Sequence, residues 1–388
     1  MNSQLSLNPG DGPGSANTVN WTAELLLNLD VGEGHVAPLI READFARYSD
    51  DFDVWDSWPV QLADGQPAQF EGGVTLWMAL AATRFADPDE RPGHARIHLL
   101  QRDASGWTHL GPVMPDGFAP GSREWSGSAV LSRDLRDLTL YFTATGRRDE
   151  AELTFEQRIF SATARLAGAS GSYRFGEWSG LDEIIRRDPT YYMASDAGGA
   201  SPGKIKAFRD PAYFRDPRSG AHYIFFAASK AGSASDFNGV IGASRLSDVG
   251  LSQWEVLPPV VSADGFNNEL ERPHVRYHKG LYYLFWSTQA HVFAPDGPTG
   301  PTGLYGMASE RLDGGWQPLN ASGLVFANPP QAPRQAYSWL VLPELGVISF
   351  VDDWGNDEEK AQRRFGVAFA PELTLELEGV TARLVTNE

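Results

Sequence analysis

Three short stretches set carboxylates beside tryptophans or arginines. "VWDSWPVQ" (54–61) places Asp56 between Trp55 and Trp58, "FRDPAYF" (208–214) joins Arg209 to Asp210, and "NNELERPHV" (267–275) carries Glu269, Glu271 and Arg272. Such groups suit chemistry at a glycosidic bond, where one carboxyl attacks or activates water and another protonates the leaving oxygen. Flat aromatic faces and polar forks give a sugar ring something to stack on and to hydrogen-bond. In an extended strand Glu269 and Glu271 would share a face, and two like charges so placed raise at least one proton affinity, as a general acid at neutral pH requires.

Each stretch also has a purely structural reading. An Asp beside Trp can cap a turn before Pro59, Arg-Asp-Pro is a common turn starter, and Glu-x-Glu-Arg is often a solvated strand face. Short matches alone decide nothing here. Arg-Asp-Pro recurs at 187–189, 209–211 and 215–217, and "EWSG" at 124–127 and 177–180. Only the copy at 209–211 runs straight into an aromatic strand.

Other chemistries lack their residues. The eight His are scattered with no His-Glu-x-x-His, and there is no cysteine, so neither a metal site nor a thiol nucleophile is indicated. "GPGSANT" (12–18) lacks the lysine and the strand-to-helix setting of a phosphate loop, and no Gly-x-Ser-x-Gly elbow occurs. Asp and Glu number 50 against 32 Lys and Arg, a formal charge of −18, which repels nucleic acid and anionic lipid and favours a neutral ligand. The first residues, "MNSQLSLNPGDGPGSANTVNWT", have no basic start or apolar core of a leader, and no run is long enough to span a membrane.

The elements that must position these acids read as strands. "ARIHLLQ" (95–101), "LTLYFTATG" (138–146), "AHYIFFAASK" (221–230), "HKGLYYLFWST" (278–288) and "LGVISFVDDW" (345–354) are short, aromatic and β-branched, and are bounded by turn formers. "DPRSG" (216–220) and "HKG" (278–280) predict hairpin turns. Only "READFARYS" (41–49) and "GLDEIIRR" (180–187) carry a helical pattern. Residues 1–20, rich in Gly, Asn and Ser, read as a flexible arm, leaving 21–388 as one all-β domain. Many short strands without a linker suggest a radial β-propeller, although no fixed-period motif supports it.

Taken in order, "VWDSWPVQ", "EWSGSA" (124–129), "FRDP", "NELERP" and "YSWLVLP" (337–343) resemble glycoside hydrolase family 68, the levansucrases, inulosucrases and bacterial β-fructofuranosidases. The resemblance implies a five-bladed β-propeller with a central axial pocket for sucrose. It implies Asp56 as nucleophile, Asp210 as transition-state stabiliser and Glu271 as general acid/base. Trp55, Trp125, Ser126, Arg209, Glu269 and Tyr337 match positions lining the sugar subsites, with Arg272 and Gln289 beside them. The expected reaction is retaining transfer of fructose from sucrose to acceptor sugars or to water, with no cofactor. Partners are then sugars rather than nucleic acid or membrane, the chain a monomer, and the location extracellular or periplasmic despite the missing leader.

Two departures qualify this. Many polymer-forming relatives carry Arg or His at the position of Gln289, so loss of the charged fork favours short oligosaccharides or hydrolysis. Where Gram-positive members have acids at a calcium site, this chain has Lys204 and Asn268, which predicts no bound metal. An arabinan-cleaving propeller and a sugar-binding propeller without turnover are the alternative readings.

Overall fold

The computed structural model describes residues 17–47, 49–196, 204–247, 253–355 and 368–385. Over these the chain forms strands joined by turns, and the helical pieces among the described residues are short 3-10 turns. The strands fall into successive antiparallel meanders. The first is Phe52–Gln61, Val74–Thr83, Arg96–Asp103 and Gly106–Pro112. The second is Arg123–Leu131, Asp137–Thr145, Gln157–Ala167 and Arg174–Ile185. A third comprises Phe208–Arg215, His222–Ser229, Gly239–Leu246 and Trp254–Ser262. The fourth runs Glu271–His278, Leu281–Thr288 and Gly303–Ser309, with Gln317–Pro318 and Leu324–Ala327 both pairing to its third strand. The fifth is Ala336–Val341, Gly346–Val351, Leu373–Glu378 and Thr381–Leu384.

All five runs expected as strands lie in these meanders, and both expected hairpin turns join consecutive strands. Both helical expectations fail. Among the described residues of 41–49, all but residue 48, only Glu42–Asp44 makes a 3-10 turn, after which Phe45 turns extended and packs edge-on against Trp354, 5.3 Å between ring centres. "GLDEIIRR" lies mostly in the outer strand Arg174–Ile185, where pairing to Gln157–Ala167 overrides a weak local preference. Of the expected arm, residues 1–16 lie outside the described residues. Val19–Asn20 pairs in parallel with Val261 and Ser262, and Trp21 is buried among Phe266, Trp286, Phe293 and Tyr305 at 5.0 to 5.7 Å.

The first strand of every meander carries the same irregularity. Its ladder slips by one residue between Trp55 and Ser57, Trp125 and Gly127, Arg209 and Ala212, Glu271 and His274, and Tyr337 and Leu340. One extra residue on one strand is a β-bulge, which bends the strand and re-aims side chains. At four of the bulges a non-glycine residue takes positive φ: Asp56 at 23°, Asp210 at 62°, Arg272 at 49° and Ser338 at 62°. The second meander solves the problem differently. Gly127 follows Ser126 so closely against the next strand that a β-carbon there would lie 1.9 Å from the Tyr141 carbonyl oxygen.

Gly127→Ala is therefore expected to cost about 3 kcal/mol, because the facing backbone at Tyr141 and Phe142 must move. Thermal denaturation should show a fall of at least about 5 °C; an unchanged melting temperature would show that this bulge tolerates a side chain.

Candidate active site

A regular strand shows alternate residues to each side, so a strand lining a cavity delivers only every second side chain. The bulges lift that limit. Trp55 with Asp56, Trp125 with Ser126, Arg209 with Asp210, Glu271 with Arg272, and Tyr337 with Ser338 are adjacent pairs, and every member lines one cavity of about 520 Å³. Glu269 and Gln289 line it as well. The structure thus brings together all eleven site residues expected from the sequence. A separate groove of about 1000 Å³, walled by Tyr223, Phe225 and Tyr282, shares none of them.

The bulges are tied to one another. Ser126 Oγ donates to Asp56 Oδ2 at 2.5 Å, and Ser126 O accepts from Thr143 Oγ1 at 3.1 Å. Thr143 Oγ1 in turn accepts from the Asp210 backbone N–H at 3.0 Å, and Asp210 Oδ2 accepts from the Arg272 N–H at 3.1 Å. The Arg272 guanidinium reaches Ser338 Oγ at 3.1 Å and Ser57 O at 2.9 Å. Trp58, buried, lies 5.8 Å beneath that guanidinium and does not line the cavity.

Around Arg209 the acids converge. Its Nη2 donates to Glu271 Oε1 at 2.7 Å and lies 3.8 Å from Glu269 Oε1, while its Nε lies 3.8 Å from Asp210 Oδ2. Tyr337 OH donates to the other Glu271 oxygen. Burial alone would weaken the Arg209 cation, but Glu271, Glu269 and Asp210 hold its proton more tightly than usual. Burial pushes the Asp210 carboxyl up to about 7, against the pull of Arg209 and with Glu271 and Asp56 adding to the rise. Of the Glu-x-Glu pair, Glu269 is raised, by burial first and by Glu271 second. Tyr337 is raised by burial and by the same two acids, so it stays a donor.

Glu269 and Glu271 do not share a strand face as an extended reading would have it. The strand begins at Glu271, and Glu269 sits in the preceding loop, its N–H donated to Asn267 Oδ1 at 2.8 Å. The other Arg-Asp-Pro copies are turns: Asp188 accepts from Thr190 N, and Asp216 from Arg218 N and Ser219 N. Of the two "EWSG" copies, Glu177 is exposed at an edge, whereas Glu124 is buried against Arg96 and the Ile97 N–H.

Sequence reasoning missed a strap. Asp89 to His94, within the 3-10 turn Pro88–His94, all line the cavity. Arg91 lays its guanidinium 5.1 Å from the Trp55 ring and 5.5 Å from Phe350, and Pro92 O accepts from Trp125 Nε1 at 3.2 Å. The strap thereby braces both tryptophan walls. Its sequence, "DPDERPGH", has only turn formers and charges, which carry no signal for a site. At the positions where the resemblance expected calcium ligands, Lys204 is exposed, and Asn268 Oδ1 accepts at 2.9 Å from Nζ of Lys206, two residues further on. Lys206 Nζ already engages the oxygens there, so these residues do not fit a calcium ion. No group of three or more His, Asp or Glu among the described residues is placed to hold a metal.

Comparison with known proteins places the chain in a family. The profile of the levansucrase/invertase family matches residues 15–238 and 231–387. Levansucrase LscC of Pseudomonas savastanoi pv. glycinea is 30% identical over 97% of this chain and 93% of its own. An inulosucrase from Halalkalicoccus jeotgali, solved with kestose bound, superposes with a TM-score of 0.84 at 32% identity, covering 95% of each chain. A levansucrase from Gluconacetobacter diazotrophicus, 24% identical, shares the fold over 99% of this chain and 92% of its own, TM-score 0.82. With a family profile matched along nearly its whole length, and with the five ordered motifs meeting in one cavity, the chain belongs to the levansucrase/invertase family, glycoside hydrolase family 68.

Proposed function

We propose that the protein is a retaining fructosyltransferase acting on sucrose, its five meanders closing into a five-bladed propeller with the cavity on its axis. The observation that carries the reading is the convergence of Asp56, Asp210 and Glu271 on one cavity walled by Trp55 and Trp125. Glu271 donates a proton to the glycosidic oxygen as Asp56 attacks the anomeric carbon of fructose. The carbon–oxygen bond to glucose breaks, and a fructosyl ester of Asp56 remains. Ser126 fixes one oxygen of Asp56 and leaves the other to attack. In the second half Glu271, now a carboxylate, takes the proton of water or of a sugar hydroxyl, with Arg209 and Tyr337 holding its two oxygens.

Asp210 does not attack. Its place beside Arg209 suits it to grip fructose hydroxyls, contacts that strengthen as positive charge grows on the ring. Transfer over hydrolysis demands that an acceptor sugar be held better than solvent. Arg209, Glu269, Gln289 and Tyr337 form that rim, and the neutral Gln289 favours short products. Levansucrases and an inulosucrase are among the relatives that support the reaction class; linkage is left to the product assay.

Incubation with sucrose should release more free glucose than free fructose, the missing fructose appearing in oligosaccharides. Asp56→Asn should lower turnover by about 10³-fold or more while still binding sucrose; an unchanged rate would remove Asp56 as nucleophile. A sugar-binding propeller would release no glucose at all. Gln289→Arg should lengthen the products on a sizing column, and abundant high-mass fructan from the unmodified protein would count against the role given to Gln289. Asp210 has a folded proton affinity above its unfolded one, so its contribution to stability is present below about pH 4 and lost as pH rises through about 7. Asp210→Asn should then raise the melting temperature at pH 8 by several degrees and by less at pH 4; equal shifts at both would show that Asp210 is not held protonated.

A further inference from the structure

Lys206, 5% exposed, holds a charge that the proposed reaction does not use. An ammonium has three N–H donors and no acceptor, and burying it unpaired costs several kcal/mol. Lys206 Nζ has three partners: Asp236 O, Asn238 Oδ1 at 3.0 Å and Asn268 Oδ1 at 2.9 Å. All three acceptors are neutral oxygens. Burial weakens its hold on the proton, while the nearby Asp236 and Glu269 charges restore part of it.

The partners come from segments that reach the site. Asn268 directly precedes Glu269, and its own N–H donates to Val292 O at 2.9 Å. Asn238 and Asn267 form a parallel bridge, and the Gly239 N–H donates to Asn267 O at 2.8 Å. At Gly239 a β-carbon would stand 2.8 Å from the Asn268 carbonyl, so the two loops touch backbone to backbone. At its other end Lys206 is fixed too. Its carbonyl accepts from Gln157 Nε2 at 3.0 Å, and Gln157 Oε1 accepts from the Phe208 N–H at 3.0 Å and from Arg209 Nη1 at 3.5 Å. Ile205, just before it, lines the cavity.

We propose that Lys206 is a positioning residue whose buried ammonium serves as a resident cation, riveting the loop that delivers Glu269 and Glu271 to the strand start that delivers Arg209 and Asp210. Its three N–H bonds set the spacing between the two segments, and with it the reach of Arg209 to Glu271. The inference rests on the proposed sucrose chemistry for its readout alone.

Lys206→Met keeps the volume and removes the cation. It should lower kcat on sucrose about 10- to 100-fold with KM changed less, the signature of misplaced reacting groups. Lys206→Ala should be similarly impaired, and propylammonium should restore its kcat in a saturable way. Tetramethylammonium at equal concentration, which has no N–H, should not. A side chain that merely fills space would be replaced by Met and would show no amine-specific rescue. Wild-type kcat in Lys206→Met, or a folded, impaired Lys206→Ala indifferent to propylammonium, overturns the proposal. Should neither variant fold, Asn238→Ala keeps the ammonium but removes one acceptor: an intermediate loss of kcat recovered by Asn238→Asp supports the rivet, and wild-type kcat overturns it. Sucrose turnover by the unmodified protein, lost in Asp56→Asn, tests the reaction separately, so a normal Lys206→Met rate sinks this inference alone.

Discussion

A β-strand must alternate its side chains, and the site can exist only because five strands break that rule at corresponding places. Without the extra residue, Trp55 and Asp56 would face opposite ways, as would Arg209 and Asp210 or Glu271 and Arg272. The break is not free, since a non-glycine residue at positive φ costs of order 1 kcal/mol or more. What holds the strained residues is chiefly one another: the chain of contacts from Asp56 through Ser126, Thr143, Asp210 and Arg272 to Ser338 links all the bulges. Each strained residue is thus fixed by a neighbour from another meander, and the cavity is rigid only when every meander is in place.

Enclosure then sorts the acids. Carboxyl groups of similar intrinsic proton affinity are shifted when burial removes them from water. Asp210 and Glu269 are raised by burial, and Arg209 stands among them as the shared counter-charge. That single guanidinium lies within 4 Å of three carboxylates, so its position depends on all three.

Much of the architecture was legible. Short aromatic and β-branched runs bounded by Gly, Pro and Asp marked the strands, because strand packing and turn geometry are local matters. The helical pattern in "GLDEIIRR" misled because pairing with a neighbouring strand outweighs propensity at an edge. No sequence period announced the repeated meanders, and the bulges explain why. What recurs is an extra backbone residue, filled as Trp-Asp, Trp-Ser, Arg-Asp, Glu-Arg and Tyr-Ser, which no single sequence motif describes. The acids were findable because their types are diagnostic; the strap Asp89–His94 was not, because its role is to brace Trp55 and Trp125 from outside the strands. The role of Lys206 was not legible for a similar reason: Lys204 and Lys206 lie two positions apart, and no local pattern says which turns inward.

The bulge also bears on how such a cavity is inherited. An extra residue in a strand corresponds to one inserted codon, and its effect is confined to the strand that receives it, since the partner ladder resumes within two or three residues. A sheet can therefore acquire a second inward-facing side chain by a single in-frame event and later change that side chain by point mutation. Loss is as simple: deleting the codon for Asp56 would close the ladder between Trp55 and Ser57, erasing an acid that lines the cavity while leaving a better-formed sheet. Descendants of this fold that keep the strands but not the reaction should carry that scar as a gap of one at the start of a meander.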